Sequence, residues 1–158
     1  MAEPEDFGER LTYLVRRVNG ALSAQLDEHL KSDGITQAQL SVLAQLDVAA
    51  PAALSGAQLA QRAGVTAQSM SAAVAGLLAR GFIARHPNPS HGRKLDVTLT
   101  PAGLDLLHAI QQRTREAEAD IDLGLSPEEL ARLRGYLQRI MRSLGLFLPQ
   151  DDAGSDRP

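Results

Sequence analysis

A chain of 158 residues with 44% hydrophobic and 22% charged side chains suits one compact soluble domain with a proper core. The absence of cysteine excludes disulfides, thiol nucleophiles and thiol-based peroxide sensing together, and no apolar run approaches the roughly 20 residues of a membrane span. No basic start leads into an apolar leader, so a cytoplasmic location is expected, and the net charge of -3 speaks against nucleic acid only until it is resolved along the chain. Residues 1–5 and 149–158 lack apolar periodicity and are expected to be flexible. Phe7, Leu11, Leu14, Val18, Leu22 and Leu26 recur at helical spacing and predict a long first helix over about 6–31, ended by Gly34. Thr36 and Gln39 form a capping-box pattern ahead of Leu40, Leu43, Ala44 and Leu46, a second short helix. A connection around Pro51 follows.

Ser55 and Gln58 repeat the capping-box spacing before Leu59, Ala60 and Ala63, a third helix that Gly64 terminates. Thr66 then caps a fourth helix whose apolar stripe is Met70, Val74, Leu77 and Leu78. Two short helices joined by a tight glycine turn make a helix-turn-helix. Beyond Arg80-Gly81, the segment Phe82 to Arg85 reads as a strand, and Pro87, Asn88, Pro89, Ser90 and Gly92 are turn formers. Leu95, Val97 and Leu99 alternate with Lys94, Asp96 and Thr98, the period of a half-buried return strand. Helix, turn, helix and hairpin together predict a winged helix-turn-helix.

Thr100-Pro101 restarts helical structure, and Leu104, Leu107, Ile110, Ala117 and Ile121 line a long helix to about residue 123. Ser126-Pro127-Glu128-Glu129 combines an N-cap, a first-position proline and a capping-box glutamate. Leu130, Leu133, Leu137, Ile140, Leu144 and Phe147 then follow at heptad-like steps, a seam for another helix. That seam suits an intramolecular core or a dimer interface. Position favours the dimer, because the terminal helices flank a small module that already has its own core. The expected fold is therefore mainly α with a small β wing. A winged helix-turn-helix DNA-binding domain spans 36–100, and flanking helices at 6–35 and 101–147 form a dimerisation region. Phe7, Leu11, Leu14, Leu130, Leu133, Leu137, Ile140, Leu144 and Phe147 are the expected dimer residues.

Charge is distributed unevenly. Within residues 55–100, Arg62, Arg80, Arg85, Arg93 and Lys94 stand against Asp96 alone, a net charge of +4 inside an acidic chain. This is the footprint of a local phosphate-binding surface, although basic segments are also found as solvated faces.

The order of elements, and above all LSGAQLAQRAGVTAQSMSAAVAGLLARGFIAR followed by the wing and VTLTPAG, resembles the MarR (multiple antibiotic resistance regulator) family of bacterial transcription factors. The resemblance covers about residues 6–147 and is most specific over 54–103. It implies a homodimer formed through the terminal helices, a recognition helix in the major groove and a wing against the minor groove. It further implies a repressor released by a small aromatic effector, bound where the first, second and fifth helices meet the DNA module. Tyr13, Arg16 and Arg17 are candidates on the first helix, with a solvated or interface role as the competing reading. One departure concerns the wing: the family's Asp two residues before its wing Arg, here Arg93, is replaced by His91. An ordinary imidazole pKa of about 6.5 leaves that side chain mostly neutral at neutral pH, as a polar turn residue.

At a DNA surface the residue types have definite uses. The stripe on the fourth helix leaves Ala67, Gln68, Ser71, Ala72 and Ala75 pointing away from the core. Gln68 can pair with adenine, Ser69 and Ser71 can reach bases or phosphates, Ala72 can touch a thymine methyl, and Thr66 sits at the helix N-terminus that favours phosphate. Arg93 is the expected minor-groove residue and Lys94 a phosphate ligand, with Arg62, Arg80 and Arg85 as further backbone contacts. For Arg80 or Arg85, pairing with Asp96 across the hairpin is the competing role. A two-fold dimer predicts a pseudo-palindromic double-stranded DNA site with half-site centres roughly 10 base pairs apart.

Other chemistries find little support. His29, His86, His91 and His108 show no metal-ligand spacing, and no cofactor is expected. No GxSxG, P-loop or dinucleotide fingerprint is present, so an enzyme is not expected. The alternative is a winged-helix protein-interaction module without sequence-specific DNA binding.

Overall fold

The computed structural model describes residues 7–88 and 95–148. Its helices are α1 (Leu11–Lys31), α2 (Gln37–Ala49), α3 (Gly56–Ala63), α4 (Ala67–Ala79), α5 (Pro101–Asp120) and α6 (Pro127–Ser143), with strands β1 (Leu54–Ser55), β2 (Ile83–Pro87) and β3 (Leu95–Leu99). The chain divides into two compact units, one ending at Gln37 and one beginning at Ala38.

The first unit is α1 with its approach and exit. A 3-10 turn at Phe7–Glu9 precedes the helix, so the helix expected from residue 6 starts five residues later. At the far end Gly34 takes a left-handed φ of 61° and its amide bonds to the Lys31 carbonyl at 3.1 Å. Leu30 and Ile35 are buried. The Gln37 amide ties the exit back to the helix, donating to the Ser23 carbonyl at 3.0 Å and to Asp27 Oδ1 at 2.8 Å. The predicted apolar stripe stays largely in solvent: Leu11 is 63% exposed and Val18 56%, with Leu14 and Leu22 also exposed.

The second unit holds the core. Val42, Leu43 and Leu46 from α2, Leu59 from α3, Met70 and Leu77 from α4, Ile83 and Val97 from the sheet, and Leu107 and Ile110 from α5 are all buried. Together with buried Leu54 of β1 they come from every element of this unit from α2 to α5, which explains why a module with so few aromatics has a definite centre. The sheet is antiparallel in the order β1-β3-β2, with Leu54 opposite Val97 on one side and Arg85 opposite Val97 on the other. β1 was not anticipated. Two residues are too few to show alternation, and Ser55 carries a second role as the N-cap of α3.

α2 runs to Ala49, where the expected connection around Pro51 begins. Several expected boundaries shift for local reasons. α5 ends at Asp120, so Ile121 falls beyond the helix it was expected to line, and the chain turns through Gly124 at φ 66°. On α4, Ala73 is buried while Val74 and Leu78 are only half-buried, because a methyl group fits the closest approach that a larger side chain cannot. On β3 the alternation holds at Val97, but Leu95 is 49% exposed and does not anchor the hairpin. α6 keeps its capping box at Ser126 and Glu129 but stops at Ser143, so Leu144 and Phe147 lie past the helical seam.

Candidate nucleic-acid interface

Local chemistry builds the helix-turn-helix. Ser55 Oγ accepts from the Gln58 amide at 3.3 Å, and the Gln58 side chain accepts from the Ser55 amide at 2.9 Å, so α3 begins with a reciprocal capping box. Gly64 ends it in the left-handed region at φ 65°, where a side chain would be strained, and Val65 N bonds to the Ala60 carbonyl at 3.2 Å. Two residues later Thr66 caps α4, its hydroxyl accepting from Ser69 N at 3.2 Å and donating to Ser69 Oγ at 3.0 Å. The mutual hydroxyl bond has no sequence signal beyond the cap itself.

α3 packs on α4, and α4 packs on β2. With Met70, Ala73 and Leu77 turned inward, Ala67, Gln68, Ser69, Ser71, Ala72 and Ala75 are all exposed. The outward face of α4 is thus small and polar, free of bulk that would hold it off a groove floor, with one long amide at Gln68 near its N-terminus. A Cβ at Gly76 would lie 2.5 Å from Gln39 Nε2, so the end of the Gln39 side chain occupies the space that glycine leaves on α4.

The arginines behave differently from one another. Arg85 is exposed on β2, on the same sheet face as its cross-strand partner Val97. Asp96 therefore sits on the opposite face, with His86 and Thr98, whose side chains approach to 2.8 Å at Nε2 and Oγ1. Asp96 Oδ2 accepts from Asn88 Nδ2 at 2.9 Å, which gives the carboxylate a neutral partner. Arg80 lies with its guanidinium 4.8 Å from the Phe82 ring centroid, braced at the end of α4. Arg62 does not stand open on α3: its guanidinium lies 4.6 Å from the centroid of Phe147. Arg93, Lys94 and His91 lie outside the described residues.

Elsewhere in this unit α2 and α5 enclose a hollow of about 390 Å³ lined by Leu40, Ala44, Leu107, Ile110, Gln111 and Thr114, with Arg115 at its edge. Among the described residues no group of three or more His, Asp or Glu could hold a metal ion, and no helix is long and apolar enough to cross a membrane.

A capped helix, a glycine turn, a second helix with a small polar outer face and a two-stranded hairpin returning through the same core define a winged helix-turn-helix. The MarR family model matches residues 33–94. The chain is 30% identical over 130 residues to an HTH-type transcriptional repressor of Mycobacterium tuberculosis, covering 82% of this chain and 92% of that protein. It is 28% identical over 133 residues to the multiple antibiotic resistance protein MarR of Salmonella typhimurium, covering 84% and 89%. Among solved structures, apo MarR of Escherichia coli matches with a TM-score of 0.73 at 26% identity, over 84% of this chain and 96% of that one. BpsR of Bordetella bronchiseptica, described as regulated in its DNA binding by 6-hydroxynicotinic acid, matches at 0.76 and 25% identity, over 87% and 97%. The chain belongs to the MarR family and is a DNA-binding transcriptional regulator.

Proposed function

We propose that the protein acts as a homodimeric, cytoplasmic repressor that reads a pseudo-palindromic operator with α4 in the major groove and the β2–β3 wing against the minor groove. The observation that carries the reading is the outer face of α4, where Gln68, Ser69, Ser71 and Ala72 are exposed while their neighbours Met70 and Ala73 are buried. Gln68 is the adenine reader, Ala72 meets a thymine methyl, and Thr66 and Ser69 place the positive end of α4 near a phosphate. Arg93 enters the minor groove, and Lys94, Arg80 and Arg85 follow the backbone. The small side chains on α4 leave much of the affinity to phosphate contacts.

Dimerisation is assigned to residues 6–35 and 101–147. What supports it is unpaid apolar surface: Leu11 and Leu14 on α1, and Leu133, Leu137 and Ile140 on α6, are exposed in the single chain, as is Leu144 at 68%. Phe7 and Leu130 are assigned to the same dimerisation region by their place in the sequence pattern. A small aromatic effector fits the hollow between α2 and α5, which pairs an apolar wall of Leu40, Leu107 and Ile110 with Gln111, Thr114 and Arg115. Such an effector releases DNA only by preferring a spacing of the two recognition helices that the operator does not accept.

The test is fluorescence anisotropy of the protein on the duplex upstream of its own gene and on a scrambled duplex, at two salt concentrations. Preference for the native duplex of about 1000-fold supports a specific regulator. Equal, salt-sensitive binding to both contradicts sequence reading at that locus, and no binding at low salt contradicts DNA binding by the free protein.

A further inference from the structure

Arg62 and Phe147 belong by sequence to two different surfaces, one facing DNA and one facing a second protomer, yet the fold seats them on each other at 4.6 Å. The end of α6 makes this contact possible. Gly145 adopts φ 65°, its amide bonds to the Arg142 carbonyl at 3.0 Å, and Leu146 N bonds to the Met141 carbonyl at 2.9 Å. These bonds close the helix and swing the next residues off its axis. The segment does not trail into solvent: Phe147 is half-buried and Leu148 is only 5% exposed. Gln58, Gln61 and Arg62 of α3 and Gly145, Leu146 and Phe147 enclose a crevice of about 380 Å³ between them. α3 in turn packs directly on α4.

We propose that Gly145–Leu148 is a clasp that holds the helix-turn-helix to the end of α6, with Arg62 and Phe147 as positioning residues for DNA binding. A guanidinium laid on an aromatic face is held by the ring quadrupole over its flat side, and the planar group loses little freedom by stacking. Arg62 then acts on DNA by fixing α3, and through α3 the angle at which α4 is presented. It supplies no phosphate contact of its own. The clasp links the proposed dimerisation helix to the recognition helix within one chain, so a shift of α6 is felt at the DNA surface without a ligand touching α3. The inference rests on the DNA-binding reading for its functional arm alone.

The experiment uses the full chain with Arg62→Ala, Phe147→Leu, the double variant and Phe147→Tyr, on the native upstream duplex across a salt series. Each single variant is expected to weaken binding about threefold to tenfold, the range of a stacked cation, with the salt slope unchanged. The double variant is expected to lose no more than either single one, and Phe147→Tyr, which keeps the ring, to bind like the parent. A fall of about one per protomer in the salt slope for Arg62→Ala, with Phe147→Leu neutral, overturns the clasp and makes Arg62 a phosphate ligand. Losses that multiply in the double variant, or a loss that tracks dissociation of the dimer in sedimentation, overturn it as well. Hydrogen exchange without DNA keeps the two readings apart: Phe147→Leu is expected to speed exchange of the α3 amides. Unchanged α3 exchange contradicts the clasp even if no duplex binds.

Discussion

A Cβ on Gly103 would collide with the carbonyl oxygen of Phe82 and lie 3.2 Å from Leu99 Cδ2. The start of α5 is pressed this closely onto the end of the hairpin because Thr100 stitches the two together. Its amide donates to the Phe82 carbonyl at 3.1 Å, its hydroxyl donates to the Gly81 carbonyl at 2.8 Å, and it accepts from Gly103 N at 3.1 Å. Gly103→Ala is therefore expected to destabilise the fold by about 3 kcal/mol, the upper part of the range for overpacking. Urea melts followed by circular dichroism measure it. Gly56→Ala, at an exposed helical position with nothing within 4 Å, serves as the control and is expected to be neutral or slightly stabilising. Equal melts for the two variants would contradict the close approach.

Two helix caps separate stability from recognition. Thr66 and Ser126 each accept from the amide three residues on, at 3.2 Å in both cases. Alanine at either is expected to cost about 1 kcal/mol in the same melts. On the proposed reading, in which the N-terminus of α4 faces DNA, operator affinity should fall only for Thr66→Ala. A matching loss for Ser126→Ala would show that general stability, and not the cap at α4, sets affinity.

Base reading and phosphate binding should come apart by residue. Gln68→Ala is expected to cost about 1–3 kcal/mol against the preferred base at one operator position per half-site, with the salt slope retained. Lys94→Ala is expected to weaken all sequences alike and lower the slope by about one per protomer. Competition binding on duplexes substituted one base pair at a time distinguishes the two. A Gln68→Ala variant with undiminished preference at every position would remove it from the recognition surface.

The apolar stripes predict an assembly. Leu137 and Ile140 are 43% and 41% exposed on α6, one helical step apart. Glutamate at both is expected to give a monomer by analytical ultracentrifugation, because an unpaired charge is costly in an apolar contact. Affinity for a two-half-site operator should fall by about 100-fold or more as the second binding event is lost. A variant that stays dimeric places the interface elsewhere.

Much of this fold was legible in caps and glycines. Ser55-Gln58, Thr66 and Ser126-Glu129 each marked a helix start that the structure keeps, and Gly64 marked the turn between α3 and α4. These signals are local, carried by groups within four residues of one another. What escaped was set by packing at a distance. Ala73 takes the buried place beside Met70 and Leu77, which a stripe of large residues does not reveal. β1 exists only because β3 returns beside Leu54 and Ser55. Arg62 and Phe147, far apart in sequence, show nothing until Gly145 turns the segment after α6 back. Gly103 looked like one residue of a familiar string, and only the Phe82 carbonyl explains it.

The measurement that bears most directly on recognition by two copies of α4 and the wing is hydroxyl-radical footprinting on an operator selected from a random duplex library with the full chain. The expected result is two protected patches related by a dyad, with major-groove centres about 10 base pairs apart. A single unsymmetrical footprint, or a library that yields no preferred sequence, would contradict dimeric winged-helix recognition.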